Sequence, residues 1–132
     1  MNHLVDSHYL IWSLLDPGKV EGDKKKILLD PAVIKYVSKI SCWEIALKYS
    51  LGKLELRGVV PEKLLDASVE AGYELLEISE QDLATSYKLP HIQNHRDPFD
   101  RLLIWQCIRN DLVFITADRR IREYEKYGLK LV

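Results

Sequence analysis

The sequence predicts an α/β fold, a parallel sheet of four to five strands with helices on both faces, in one domain over residues 1–132. Three observations lead there. Short apolar or alternating runs at 2–5, 34–40, 74–78 and 112–115 are separated by stretches of helical periodicity. Turn-forming residues fall between these segments at regular intervals, with no internal repeat, low-complexity tract or Gly/Ser linker. At 15.4 kDa and 47% hydrophobic residues, the chain suits one core that buries about two-thirds of the surface its unfolded form exposes.

Residues 2–5 make a short strand, after which Tyr9, Leu10, Trp12, Leu14 and Leu15 recur at helical spacing until Asp16, Pro17 and Gly18 stop the helix. Lys24 to Leu29 suits a second helix and 34–40 a second strand. Ser41 opens a helix that carries Trp43, Ile45, Ala46, Leu47 and Tyr49 to a stop at Gly52. Pro61 fits a first helical position, and that helix ends near Gly72. Glu74 to Ile78 is the third strand, and Ser79 caps a helix running toward Leu89 and Pro90. Pro98 starts a helix in which Phe99, Leu102, Leu103, Ile104, Trp105, Cys107 and Ile108 cover most of the circumference, so burial on nearly all sides is expected. Leu112 to Ile115 is the fourth strand, Asp118 to Tyr127 a basic surface helix, and 129–132 a candidate fifth strand. Because helices separate the strands, the sheet should be parallel.

No apolar run approaches the roughly 20 residues that span a bilayer, and the start, Met1-Asn2-His3-Leu4-Val5-Asp6, lacks a secretory signal. A cytoplasmic location is the expectation. Cys42 and Cys107 are too few and too far apart for a disulfide framework or a zinc motif, and both read as small core residues. Nineteen basic against twenty acidic residues give a net charge of −1, so any nucleic-acid contact depends on local clustering of cations.

Four acids stand where apolar runs give way to helical sequence: Asp6, Glu44, Asp100 and Asp118. Each has a plain structural reading, because acids cap helix N-termini and meet the positive end of the dipole. Ser41 and Glu44 fit a capping box, Glu44 can pair with Lys48, and Asp97 before Pro98 is a good N-cap. Taken together they say more. In a parallel α/β sheet they converge on the carboxyl edge of the strands, where ligands bind near the reversal of strand order. Clustered carboxylates raise one another's pKa in a partly dry cleft unless a cation neutralises them, and oxygen-only ligation selects Mg²⁺, with Mn²⁺ able to substitute.

These residues resemble those of a PIN-domain ribonuclease of the VapC-like toxin type, through nearly the whole chain. The segments that carry the resemblance are 41–48 with Gly52-Lys53-Leu54, the run His95-Arg96-Asp97-Pro98-Phe99-Asp100-Arg101 followed by Leu102-Leu103-Ile104, the opening Leu4-Val5-Asp6-Ser7-His8, and Thr116-Ala117-Asp118. The resemblance implies a PIN-like three-layer α/β fold and hydrolysis of RNA phosphodiesters with one or two Mg²⁺ ions. It implies catalytic roles for Asp6, Glu44, Asp100 and Asp118, with Asp6, Asp100 and Asp118 as metal ligands. Asp97 is an extra carboxylate, either a supporting partner or a closer ligand, and Thr116 can orient a carboxylate or water. It further implies a homodimer neutralised by a small antitoxin. Two departures stand out: 90–94 is longer than expected before the His-Arg-Asp-Pro run, and Trp105 replaces a usually small residue.

RNA must be held despite the acids. Arg96, Arg101 and Arg119 are the expected contacts, with Arg120 and Arg122 close in sequence; Lys24-Lys25-Lys26 is a second basic group that reads first as a solvated helix face and otherwise as a track for the backbone. The four histidines show no metal-ligand spacing, and His95 suits either orienting a carboxylate or a surface or helix-entry position. Trp12, Trp43 and Trp105 suit core or subunit packing. A phosphoryl-accepting receiver domain is disfavoured, because Asp6 is followed by Ser7 and 77–79 offers no acceptor Asp. A catalytically silent RNA- or partner-binding scaffold is the remaining alternative.

Overall fold

The computed structural model describes residues 2–132. Five short strands form one parallel sheet in the order β3-β2-β1-β4-β5: β1 (His3–Val5), β2 (Lys35–Ser38), β3 (Glu74–Leu76), β4 (Val113–Ile115) and β5 (Lys130–Leu131). From β1 the chain steps outward through β2 to β3, then returns to place β4 on the other side of β1. That reversal opens a crevice between the carboxyl ends of β1 and β4. Asp6 follows β1 directly and its N–H donates to the Ile115 carbonyl at 3.0 Å, which ties the two strand ends together.

Side chains alternate between two cores because successive strand residues point to opposite faces. Val5, Val37 and Ile115 lie on one face with Tyr9, Leu10 and Ile11 of α1 (Ser7–Leu15). Leu28 of α2 (Gly22–Leu29), Ile45 of α3 (Lys39–Ser50) and Leu64 of α4 (Pro61–Glu70) complete that layer. Leu4 and Phe114 lie on the other face with Leu103, Ile104 and Cys107 of α6 (Pro98–Asn110). Ile121 and Tyr124 join them. Between β3 and α6 come α5 (Glu80–Thr85) and a 3-10 turn at Ser86–Lys88.

Two local expectations change, and the last helix gains a finer description. The second strand ends at Ser38, whose hydroxyl accepts from the Ile40 N–H, so α3 begins at Lys39 and the capping box at Ser41 does not form. Ser41 is instead buried inside the helix, and Glu44 falls in its second turn. The helix α6 shelters Leu103, Ile104, Gln106 and Cys107, whereas Leu102, Trp105 and Ile108 stay half-buried because α6 lies in the outer layer of the sandwich. The segment Arg119–Tyr127 winds as a 3-10 helix, consistent with its buried residues, Ile121 and Tyr124, recurring at a spacing of three. As expected, α3 stops at Gly52, which adopts φ 71°. No described helix is long and apolar enough to cross a membrane.

Candidate metal centre

A cleft of about 390 Å³ opens at the reversal between β1 and β4, and Asp6, Glu44, Asp97, Asp100 and Asp118 all line it. Three of the acids are helix N-caps and two lie inside helices. Asp6 is the N-cap of α1, accepting from the Tyr9 N–H at 2.8 Å, and its second oxygen meets the Ala117 N–H at 3.4 Å. Asp97 caps α6 through the N–H groups of Phe99 and Asp100. With Pro98 in the first helical position, Asp100 falls in the third, one turn into the cleft. Asp118 caps the 3-10 helix and is gripped by Arg120, with contacts at 3.0 and 2.7 Å. Glu44 is 3% exposed, and its two oxygens accept from Ser7 Oγ at 2.5 Å and Lys48 Nζ at 2.7 Å.

The donors crowd around Asp100. Glu44, Asp97 and Asp100 present oxygens within 4.8 Å of one another, and His95, Asp100 and Asp118 form a second triad of the same span. Asp6 lines the same cleft but belongs to neither triad. Burial, and then the charges of Asp97, Glu44, Asp6 and Asp118, push the Asp100 carboxyl up to about 7. Burial likewise raises Asp6, against hydrogen bonds from Tyr9, Thr116 and Ala117 that favour its charged form. Asp118 moves the other way, lowered by its hydrogen bond with Arg120. Burial pulls Lys48 down, but its bond to Glu44 and the nearby Asp97 and Asp100 outweigh that and raise it. A half-dry pocket whose central acid resists ionisation is chemically suited to a hard divalent cation bound through oxygen.

The supporting residues divide. Thr116 is buried at the cleft wall, where its hydroxyl bonds Asp6 and receives the Asp118 N–H. Arg101, expected to hold substrate, spends its guanidinium on the carbonyls of Leu89 and Pro90 and on the Tyr124 hydroxyl, because 86–90 folds back across α6. Arg96 is exposed, and Arg119 lines a neighbouring groove with Lys24 and Arg122. The extra residues at 90–94 form a tight turn closed by an Ile92 to His95 bridge, with Asn94 at φ 67°. Trp105 is accommodated by donating to Thr85 Oγ1 at 3.1 Å. Cys107 is buried as expected and Cys42 half-buried. Trp43 is 62% exposed and touches Phe99 edge-on, so it is not a core residue of this chain.

The sequence reading missed Ser7 and Tyr124. Ser7 had a signal, since a hydroxyl directly after Asp6 must sit at the same strand end. Tyr124 had none. Of the two readings open for His95, a surface position is overturned: the side chain is 1% exposed, because the 92–95 turn tucks the ring under the 3-10 helix against Tyr124.

Two of the solved structures that share this fold are similar over nearly the whole chain. A chain in the crystal structure of VapBC2 from Rickettsia felis, bound to a DNA fragment from its promoter, matches with a TM-score of 0.66 at 17% identity, covering 100% of this chain and 98% of that one. A chain in the DNA-bound VapBC structure from Salmonella typhimurium matches with a TM-score of 0.65 at 17% identity, covering 100% and 97%. At such identity the likeness is one of fold. No curated protein matches. The PIN-domain family model matches residues 3–127, from the first strand through the last helical segment, and the chain belongs to the PIN-domain family.

Proposed function

We propose that this protein is a Mg²⁺-dependent endoribonuclease and the toxin of a toxin–antitoxin pair. The observation that carries the reading is the single cleft into which five carboxylates converge, its central acid raised to about 7 by burial and by the other four. Glu44, Asp97 and Asp100 offer the tightest all-oxygen set for a cation, with Asp6 and Asp118 at its edges. A bound Mg²⁺ supplies Lewis acidity, lowering the pKa of water and stabilising charge on a phosphate. Glu44, held by Ser7 and Lys48, is oriented to accept a proton from the attacking water. Lys48, beside it, is a cation that can meet a phosphate oxygen. Hydrolysis in this sense leaves 5′-phosphate and 3′-hydroxyl ends.

Substrate is held by a second groove of about 350 Å³ that shares Thr116, Ala117 and Asp118 with the acidic cleft and is lined by Lys24, Arg119 and Arg122. Lys24 is fixed there by the Thr116 carbonyl at 3.1 Å and by the Tyr9 ring. A phosphate chain leaving the acids meets these cations next. The fold shared with chains of VapBC structures supports an antitoxin partner, and two copies are proposed to pair as a homodimer.

The test is cleavage of single-stranded RNA by chelator-washed protein with and without added Mg²⁺. Cleavage only with metal is expected; metal-independent cleavage, or none with either Mg²⁺ or Mn²⁺, refutes the reading. A Mn²⁺-soaked crystal should show anomalous density among Glu44, Asp97 and Asp100. Solution mass at micromolar concentration should be that of a dimer, and a monomer counts against that part.

A further inference from the structure

His95 has no part in the reaction as described, yet its ring is almost wholly buried and stands against two of the acids. Its Nε2 lies 3.7 Å from Asp100 Oδ2, beyond hydrogen-bond length, and has no hydrogen-bond partner. Two roles compete for that atom. A bare Nε2 is a nitrogen ligand for the triad with Asp100 and Asp118, whereas a protonated Nε2 is a donor aimed at Asp100.

The far side of the ring decides between them. Nδ1 lies 2.8 Å from the Tyr124 hydroxyl, and that hydroxyl receives Arg101 Nη1 at 3.1 Å. A guanidinium can only donate, so the phenol oxygen is the acceptor in that bond and has its own single proton still to place. Tyr124 is fully buried, and its hydroxyl bonds Arg101 and His95. Its proton therefore goes to His95 Nδ1: the alternative leaves the phenol proton with no acceptor, whereas a proton on Nε2 has a carboxylate oxygen of Asp100 3.7 Å away. A neutral imidazole with Nδ1 accepting carries its one proton on Nε2. Arg101 is itself pinned by the carbonyls of Leu89 at 2.8 Å and Pro90 at 3.1 Å, so the start of the chain of bonds is fixed.

We propose that Arg101, Tyr124 and His95 form a buried hydrogen-bond relay that fixes the imidazole proton on Nε2 and aims it at Asp100, making His95 a positioning residue for the acidic site and not a ligand in it. The inference rests on the metal-site reading for its purpose, but the proton's location can be tested without metal. A modest turn of the Asp100 carboxylate closes the 3.7 Å gap, after which one oxygen is held by His95 and the other is left to the cleft.

The decisive measurement is nitrogen-detected NMR of the full chain labelled with ¹⁵N-histidine. The metal-free protein is expected to show His95 with its proton on Nε2, and to keep that tautomer when Mg²⁺ is added. A proton on Nδ1, or loss of the Nε2 proton on adding Mg²⁺, overturns the proposal. Tyr124→Phe keeps the ring packing and removes the hydroxyl; it should give a mixture of tautomers and weaken Mg²⁺ binding by calorimetry about tenfold, as for other residues that orient metal ligands. His95→Gln can accept from Tyr124 and donate toward Asp100, so it should hold Mg²⁺ within about threefold of the parent while His95→Phe does not. Equal affinities in those two variants overturn the proposal. If the unaltered protein cleaves no RNA, the nuclease reading fails while the tautomer result stands by itself.

Discussion

Asp6 and Asp100 show how one side chain answers to both the fold and the chemistry. Asp6 caps α1, yet it is buried beside four other acids, so its negative charge opposes folding while its oxygens support the helix. Asn caps as well as Asp. Asp6→Asn should therefore keep the helix, leave the melting temperature equal or higher, and reduce Mg²⁺-dependent RNA cleavage by about two orders of magnitude or more. A variant of full activity in chelator-washed buffer with Mg²⁺ restored sinks the scheme. Asp100 adds a pH dependence. Its folded carboxyl is raised to about 7 from 3.8, so the folded state holds a proton that the unfolded state has released. Its contribution to stability thus falls as pH rises from about 4 to about 7 in metal-free protein. Asp118 acts in the opposite sense and in a lower window, since Arg120 lowers its pKa and that stabilisation is lost as pH falls below about 4. Because Mg²⁺ relieves the repulsion only when Asp100 is ionised, the rise in melting temperature on adding Mg²⁺ should be larger at pH 8 than at pH 5.5. An equal rise at both values contradicts this. Acids at strand ends were legible in the sequence because the residue that follows a short apolar strand has nowhere to go but the sheet edge. The distances among them were not, and neither was the commitment of Arg101, which depends on where a distant loop lays its carbonyls.

Glu44 depends on a boundary that local pattern misplaces by three residues. Ser38 and Ser41 both precede helix-forming sequence, and the capping-box spacing favours Ser41. Sheet pairing decides otherwise: Ser38 is the last β2 residue in register, opposite Leu76, so the chain turns there and Ser38 takes the cap. Starting at Lys39 moves Glu44 into the second turn, where it reaches Ser7 and Lys48. Ser38→Ala should cost about 1 kcal/mol in urea unfolding, the usual value of an N-cap hydroxyl. A Ser41→Ala change that costs more than Ser38→Ala would mean that the cap lies where the sequence pattern first put it. The last segment reads as a basic surface helix and is one; its 3-10 winding is the finer detail, suited to buried residues that recur every three positions.

At the scale of the whole molecule, strands separated by helical segments were enough to predict a parallel sheet with helices on both faces, and Leu4 and Phe114 do feed one core while Val5 and Ile115 feed the other. Strand order was not readable, since parallel strands joined by helices can be laid down in more than one sequence. That order matters, because inserting β4 beside β1 brings Asp6 to Thr116 and Asp118, and brings the acidic cleft against the groove of Lys24, Arg119 and Arg122. A chain with a net charge of −1 thereby presents two adjoining fields of opposite sign. A polyanion entering the acids alone meets repulsion; one that also fills the basic groove releases the counterions it carried there, and its affinity depends on salt accordingly. Each phosphate neutralised on a single strand contributes about 0.7 to the slope of log affinity against log salt. With the Asp6→Asn background preventing cleavage, adding Lys24→Ala and Arg122→Ala should flatten that slope by about 1.4 and weaken binding at low salt far more than at high salt. An unchanged slope would mean that RNA leaves the acidic cleft along another path.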